Sequence, residues 1–96
     1  MYKLSEAAAR DIEKLLERSV VDFGLQQTEY YFSSLKSCLQ HLADNPEMGN
    51  MSDDIRAGYR RFVHQSHVVF YHIIEQEIFV IRILHKHMDV STYLDE

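Results

Sequence analysis

The sequence predicts an α+β fold, in which an N-terminal antiparallel helical hairpin packs on a small antiparallel β-sheet. Apolar residues recur at helical spacing in two segments before residue 45, whereas from residue 58 onward they alternate or cluster as they do in strands. Helices followed by strands in one short chain are typical of a two-layer α+β arrangement. At 96 residues the chain has the length of one domain, so we expect residues 1–96 to form a single unit.

The helical segments have recognisable boundaries. The first helix is predicted to begin after Ser5, whose hydroxyl can accept a hydrogen bond from a first-turn N–H, and to end at Gly24, which adopts left-handed angles easily. The second helix follows almost at once and ends in ADNPEMG, because residues before a proline avoid helical angles. The predicted core stripes are Ala8, Ile12, Leu15, Leu16, Ser19 and Phe23 in the first helix, and Thr28, Tyr31, Phe32, Leu35, Cys38, Leu39 and Leu42 in the second.

The second half of the chain predicts strands. YKL at the start could form a short first strand, EMGNMSDD is predicted as a polar loop, and EQE as a hairpin turn. The main strands are GYRRFVH, HVVFYHII, predicted to be central, and IFVIRILH. Alternation puts Arg60 and Arg61 on opposite faces. It also groups the last strand into Phe79, Ile81 and Ile83 on one face, and Ile78, Val80, Arg82 and Leu84 on the other. MDVSTYLDE is predicted as a final helical turn or an irregular tail.

Composition limits the cellular setting. Cys38 is the only cysteine, so a disulfide framework is excluded. The first twenty residues lack the apolar core of a signal peptide, and no apolar run approaches the ~20 residues that span a bilayer. We therefore expect a cytoplasmic protein without a membrane partner.

Charge is unevenly distributed along the chain. The net charge is −5, which argues against broad binding to a phosphate backbone. Residues 55–88, however, carry five basic and only two acidic side chains, and five of the six histidines. The basic residues are Arg56, Arg60, Arg61, Arg82 and Lys86. This concentration predicts one localised anionic partner, either nucleic acid or an acidic protein segment.

Five segments carry a resemblance to a known family. In order and spacing they resemble the ParE toxins of the RelE/ParE superfamily, over about residues 2 to 94: LSEAAARDIEKL, LADNPEMG, DDIRAGYRRF, HVVFYHI and IFVIRILHKHMDV. The resemblance implies the RelE/ParE-like fold, a ParD-type antitoxin that folds onto the toxin, and inhibition of DNA gyrase by stabilising its cleaved-DNA state. It implies no cofactor, no metal and no sequence-specific nucleic-acid binding, and it is compatible with a homodimer or an antitoxin heterotetramer.

The segment RILHKHMDV allows more than one interpretation. In the nuclease branch of the superfamily, His85 or His87 would transfer protons and arginines would stabilise the charged phosphorane. The acidic tail, with Asp89, Asp95 and Glu96, disfavours RNA. His85 and His87 share a strand face, but two histidines with a carboxylate are a weak zinc signal beside hydrogen-bonded histidines at a strand end. We predict that eight residues bind the target or the antitoxin: Arg56, Tyr59, Arg60, Arg61, Arg82, His85, Lys86 and His87.

Three expectations concern packing. Arg82 lies among apolar neighbours, so its guanidinium should be paired, with a carboxylate of either the antitoxin or a helix. The predicted core or near-core tyrosines are Tyr2, Tyr59 and Tyr71. An antitoxin that folds on binding needs exposed apolar pockets. The hairpin residues expected to be half exposed without it are Leu15, Leu16 and Leu39.

Overall fold

The computed structural model describes residues 1–90 and has two helices packed on one face of a five-stranded mixed sheet. In chain order the elements are β1 (Tyr2–Leu4), α1 (Glu6–Phe23), α2 (Leu25–Asp44), a 3-10 turn (Pro46–Met48), β2 (Asn50–Met51), β3 (Tyr59–His64), β4 (His67–Ile74) and β5 (Glu77–His85). The order across the sheet is β1-β5-β4-β3-β2. The predicted α+β class is confirmed, and the predicted tail beyond residue 90 lies outside the described residues.

The sheet differs from the prediction at both edges. The pairings among β2, β3, β4 and β5 are antiparallel as predicted, but β1 pairs parallel to β5, so the sheet is mixed. At the other edge, the segment predicted as a polar loop contains a 3-10 turn and the two-residue strand β2. Both short edge strands form because a longer neighbour is already in place to pair with them.

The helix boundaries follow the predicted capping residues. The Ser5 hydroxyl accepts a hydrogen bond from the Ala8 N–H at 2.9 Å, and it donates one to the Ile81 carbonyl at 2.6 Å. Ser5 therefore caps α1 and ties its start to β5. Gly24, at φ 88°, ends α1 and begins α2, so the two helices reverse direction within one residue.

The main core lies between the helices and one sheet face. Its buried members are Ala8, Leu35, Cys38, Leu39, Leu42, Ala43, Val69, Tyr71, Ile78, Val80 and Ile83. The predicted helix stripes supply five of these eleven residues, but two predictions were wrong: Leu39 is buried rather than half exposed, and Phe23 is 70% exposed. Phe23 is the last residue of α1, at the tip of the hairpin next to Gly24.

A β-bulge changes the register of β5. Phe70 pairs with Arg82 and Tyr71 pairs with Val80, so Ile81 is the extra residue. Beyond the bulge the side chains exchange faces. Ile83 therefore joins Val80 in the main core, whereas Ile81 and Leu84 belong to a second cluster on the other face. The predicted grouping of β5 side chains was right in placing Ile81 on the face of Phe79, but wrong beyond Ile81 for this reason.

None of the helices among residues 1–90 is long and apolar enough to cross a membrane.

Candidate functional site

The predicted binding residues separate into two groups along the strands. Tyr59 begins β3 and His64 ends it, and strand rise puts about 17 Å between them. Arg56 and Tyr59 lie at the first end, whereas His85, Lys86 and His87 lie at the second, where β5 finishes. The eight residues therefore do not form one site.

Arg60 and Arg61 lie on opposite faces of β3, as predicted. The Arg60 guanidinium donates hydrogen bonds to the Gly49 carbonyl at 2.9 Å and the Glu47 carbonyl at 3.3 Å. Arg60 thus holds the turn before β2 in place. Arg61 follows the alternation of β3 to the face away from the helices, which we call the far face.

Arg82 is paired within the chain. Its guanidinium donates two hydrogen bonds to the Asp11 carboxylate, each 2.8 Å long, and the Ile83 N–H donates a third at 3.0 Å. Of the two partners left open by the sequence, α1 supplies one in Asp11. Because the two side chains are 18% and 11% exposed, this pair joins α1 to β5, and the predicted role of Arg82 on an open binding surface does not fit its position.

Arg56 and Tyr59 form part of an aromatic row on the far face. The Tyr59 ring lies 5.6 Å from the His72 ring, and the His72 ring lies 5.6 Å from the Phe79 ring, centroid to centroid. The Arg56 guanidinium carbon is 5.9 Å from the centre of the Tyr59 ring. Of the predicted near-core tyrosines, Tyr71 is buried, while Tyr59 and Tyr2 are half-buried.

The second group belongs to a histidine cluster. The His85 ring lies 5.5 Å from that of His67 and 5.1 Å from that of His87. His67 Nδ1 is hydrogen-bonded to the Tyr31 hydroxyl at 2.7 Å, and His64 Nε2 to the Ser34 hydroxyl at 3.0 Å. The histidines of β3, β4 and β5 are adjacent because strand pairing places His64 opposite His67 and His67 opposite His85.

Burial changes the proton affinities in the cluster. It lowers the pKa of His67, which the neighbouring His85 and His64 lower further, and it lowers the pKa of His64. Burial, with a smaller contribution from Cys38, raises the pKa of Tyr31 to about 12. The partly buried His64 and His67 therefore favour the neutral form.

A groove runs between α1 and the histidine cluster. It has two adjoining sections of about 410 and 620 Å³, which share Leu15, Arg18, Asp22, His67 and His85. Its walls combine apolar side chains with charges of both signs, and the exposed Phe23 borders one section. Such a surface suits an amphipathic peptide segment.

Sequence reasoning missed several residues of this site. Tyr31 and Asp11 were assigned to helix faces, but the cluster and the Arg82 pair depend on them. His64 and His67 flank a two-residue turn, so their spacing in the sequence HQSH was the available signal of a cross-strand pair.

The arrangement limits which chemistry the described residues can perform. Within residues 1–90, no three histidine, cysteine or carboxylate side chains are grouped so that they could hold a metal ion. The cations that the nuclease interpretation needs are also dispersed: Arg60 binds loop carbonyls and Arg82 binds Asp11. Among the described residues, the arginines that the nuclease interpretation needs are therefore not gathered at one place.

Comparisons with known proteins define the class and then the family. The fold resembles that in the structure "Chromosomal ParDE TA system from P. aeruginosa", with a TM-score of 0.76 and 19% identity over 88% of this chain and 92% of that one. The protein is thus a small α+β domain with the fold found in that toxin–antitoxin system. The family model "ParE toxin of type II toxin-antitoxin system, parDE" matches residues 2–90. The chain belongs to the ParE toxin family.

Two curated relatives match over nearly their full length. Toxin ParE1 of Mycobacterium tuberculosis is 37% identical over 94 residues, which cover 97% of this chain and 96% of that protein. Toxin ParE1 of Caulobacter vibrioides is 34% identical over 93 residues, with the same coverage. The resemblance stated from sequence segments is therefore confirmed.

Proposed function

We propose that this protein is a growth-inhibiting toxin that binds DNA gyrase and stabilises its cleaved-DNA complex, and that a ParD-type antitoxin neutralises it. The supporting observation is the match to the ParE family over residues 2–90 together with a relative named Toxin ParE1 that matches over 97% of this chain. Poisoning of this kind is a binding function. The toxin adds binding free energy to one conformation of its target and so raises the population of that conformation.

The groove between α1 and the histidine cluster is the surface we assign to the antitoxin. Leu15 and Phe23 offer apolar contacts, while Arg18 and Asp22 lie alongside and can pair with charges of either sign. An antitoxin segment that folds on binding would place an apolar face against these side chains. Exposed hydrophobic residues at the hairpin tip extend this surface: Val20, Val21, Phe23, Leu25 and Tyr30.

We assign the target to two other surfaces, the turn after β5 and the far face. His85 is half-buried, and its Nδ1 accepts a hydrogen bond from the His87 N–H at 3.2 Å. This bond shapes the turn that presents the exposed Lys86 and His87. On the far face, Arg56, Tyr59 and Arg61 provide cationic and aromatic contacts. None of these roles needs a catalytic group or a cofactor.

The test is a gyrase cleavage assay. Purified protein is mixed with gyrase, ATP and supercoiled plasmid, the gyrase is then denatured, and linear DNA is measured. We expect linear DNA that depends on both gyrase and toxin and that disappears when a cognate antitoxin is added. His85→Ala should reduce it, whereas His41→Ala, an exposed change on α2, should not.

The nuclease alternative gives a different result. Intact plasmid at high concentration of a protein that still binds its antitoxin would refute gyrase poisoning. Cleavage of messenger RNA on ribosomes that is lost in folded His85→Ala or His87→Ala would then establish the enzyme.

A further inference from the structure

A row of aromatic rings crosses the far face of the sheet. Lys3 pairs with Phe79, Phe79 with His72, and His72 with Tyr59, so one residue from each of four strands lies in the same row. The three rings are half-buried, and of their neighbours in sequence Tyr71, Ile78 and Val80 lie in the main core on the helix side. With strands about 4.8 Å apart, the row spans about 14 Å.

Both ends of the row carry a cation. The exposed Lys3 lies next to Phe79, and Arg56 lies over the ring of Tyr59. The row therefore has three aromatic rings between two positive charges. These residues belong neither to the main core nor to the histidine cluster, so packing in those regions does not account for them.

A cleft beside the row adds further positive charge. Its volume is about 560 Å³, and its lining includes Arg10, Arg56, Arg82, Tyr59 and Phe79. Two acids offset part of this charge: Glu6, 4.0 Å from Arg10, and Asp11, which binds Arg82. The volume lies within the roughly 300–1,000 Å³ of small-ligand sites.

We propose that the far face binds single-stranded DNA, with bases stacked on the Tyr59, His72 and Phe79 rings and phosphates held by Lys3 and Arg56. Proteins that bind single strands combine stacking rings with cations along the backbone path, and they tolerate many sequences because every base has a π-face. Glu13, Glu17 and Glu29 are exposed on the helices, away from this face, whereas the exposed Glu77 precedes Phe79 by two residues on β5 and Asp53 lies in the loop before Tyr59, so acids offset part of the positive charge here. The choice of DNA over RNA rests on the proposed function, because the cleaved gyrase complex presents DNA.

The experiment measures fluorescence anisotropy of a labelled oligothymidine of about 12 nucleotides with the full chain and no gyrase. Tyr59→Ala and Phe79→Ala should each weaken binding at least about fivefold, because one stacking partner is lost. Two phosphate contacts give a slope of log K against log salt near −1.4. Lys3→Glu, at an exposed side chain, should also weaken binding and flatten that slope.

Matched variants separate binding from folding. Tyr59→Phe keeps the ring and should bind like the parent protein, and His41→Ala removes an exposed ring from α2 and should have no effect. If Tyr59→Ala does not fold, as judged by circular dichroism, the affinity of Lys3→Glu is compared with that of the parent protein instead. Equal affinity of Lys3→Glu and the parent protein would overturn the proposal.

Two further outcomes distinguish this proposal from its alternatives. No oligothymidine binding by a protein that still binds its antitoxin would overturn it, whatever the gyrase assay gives. Oligouridine binding more than about tenfold tighter than oligothymidine would overturn the commitment to DNA and favour the RNA-cleaving branch. Oligothymidine binding without gyrase poisoning would leave the DNA surface established and refute only the proposed function.

Discussion

Asp11 of α1 and Arg82 of β5 form a bidentate ion pair that fixes the first helix on the sheet. Both hydrogen bonds from the guanidinium are 2.8 Å long, and the same carboxylate accepts the Ile83 N–H. β1 covers β5 only from Ile78 to Val80, so beyond that point Asp11 occupies the strand edge. The pair thus closes an edge that could otherwise pair with another strand.

Replacing Asp11 by Ala should lower the free energy of unfolding by about 3 kcal/mol, because a largely buried guanidinium and an N–H lose their acceptor. Urea unfolding measures the change. Asp22→Ala is the matched control: it breaks an exposed pair on the same helix and should leave the urea midpoint unchanged. Equal midpoints for Asp11→Ala and Asp22→Ala would contradict this role of the pair.

Gly49 and Tyr71 should be energetically coupled. The Tyr71 hydroxyl accepts from the Gly49 N–H at 2.9 Å and donates to the Pro46 carbonyl at 2.8 Å, and a Cβ on Gly49 would collide with it. Tyr71→Phe should cost about 1–3 kcal/mol through the unpaired backbone groups. Gly49→Ala should cost less in the Tyr71→Phe background than alone, because the colliding oxygen is gone. A double-mutant cycle in urea measures the coupling, and strict additivity would disprove it.

Stability should fall as the pH is lowered through the histidine range. Burial, then His85 and His64, lower the pKa of folded His67 below its ordinary value of 6.5. The unfolded chain therefore binds more protons below that pH, so stabilisation is present above about pH 6.5 and is lost on acidification. His67→Gln should reduce the difference in unfolding free energy between pH 7.5 and 5.5. His41→Gln, at an exposed site on α2, should retain the full difference. A parent protein equally stable at both pH values would show the expectation to be wrong.

Phe23→Ala should weaken antitoxin binding at least about tenfold, because the side chain is 70% exposed beside the groove and can serve as an aromatic anchor. Calorimetric titration with a cognate antitoxin measures the affinity. Val63→Ala removes a 59% exposed apolar side chain from β3 and should bind as tightly as the parent protein. If the two variants have the same affinity, the antitoxin lies elsewhere.

Much of the fold could be predicted from local patterns. Ser5 and Gly24 marked the limits of α1, and the turn before β5 was placed correctly although neither Glu75 nor Gln76, both at positive φ, is a glycine. Helix ends and tight turns depend on residues that are close in sequence, so side-chain periodicity and capping chemistry are enough to predict them.

The candidate site was less predictable. The row of Tyr59, His72 and Phe79 and the contact between His67 and His85 require strand pairing, which a residue's own neighbours do not specify. Of the Arg82 partners left open by the sequence, only the tertiary structure selects Asp11, which lies 71 residues away in the chain.

The sequence by itself therefore determined the two helices, the main strands and the family, because these follow from periodicity, turn residues and ordered motifs. The tertiary structure alone decided the parallel pairing of β1 and the bulge at Ile81, and with them which side chains meet. The physical reason is that one extra residue in β5 moves every later side chain of that strand to the opposite face. The position of the bulge depends on the pairing of β5 with β4 and on the contacts of β5 with α1.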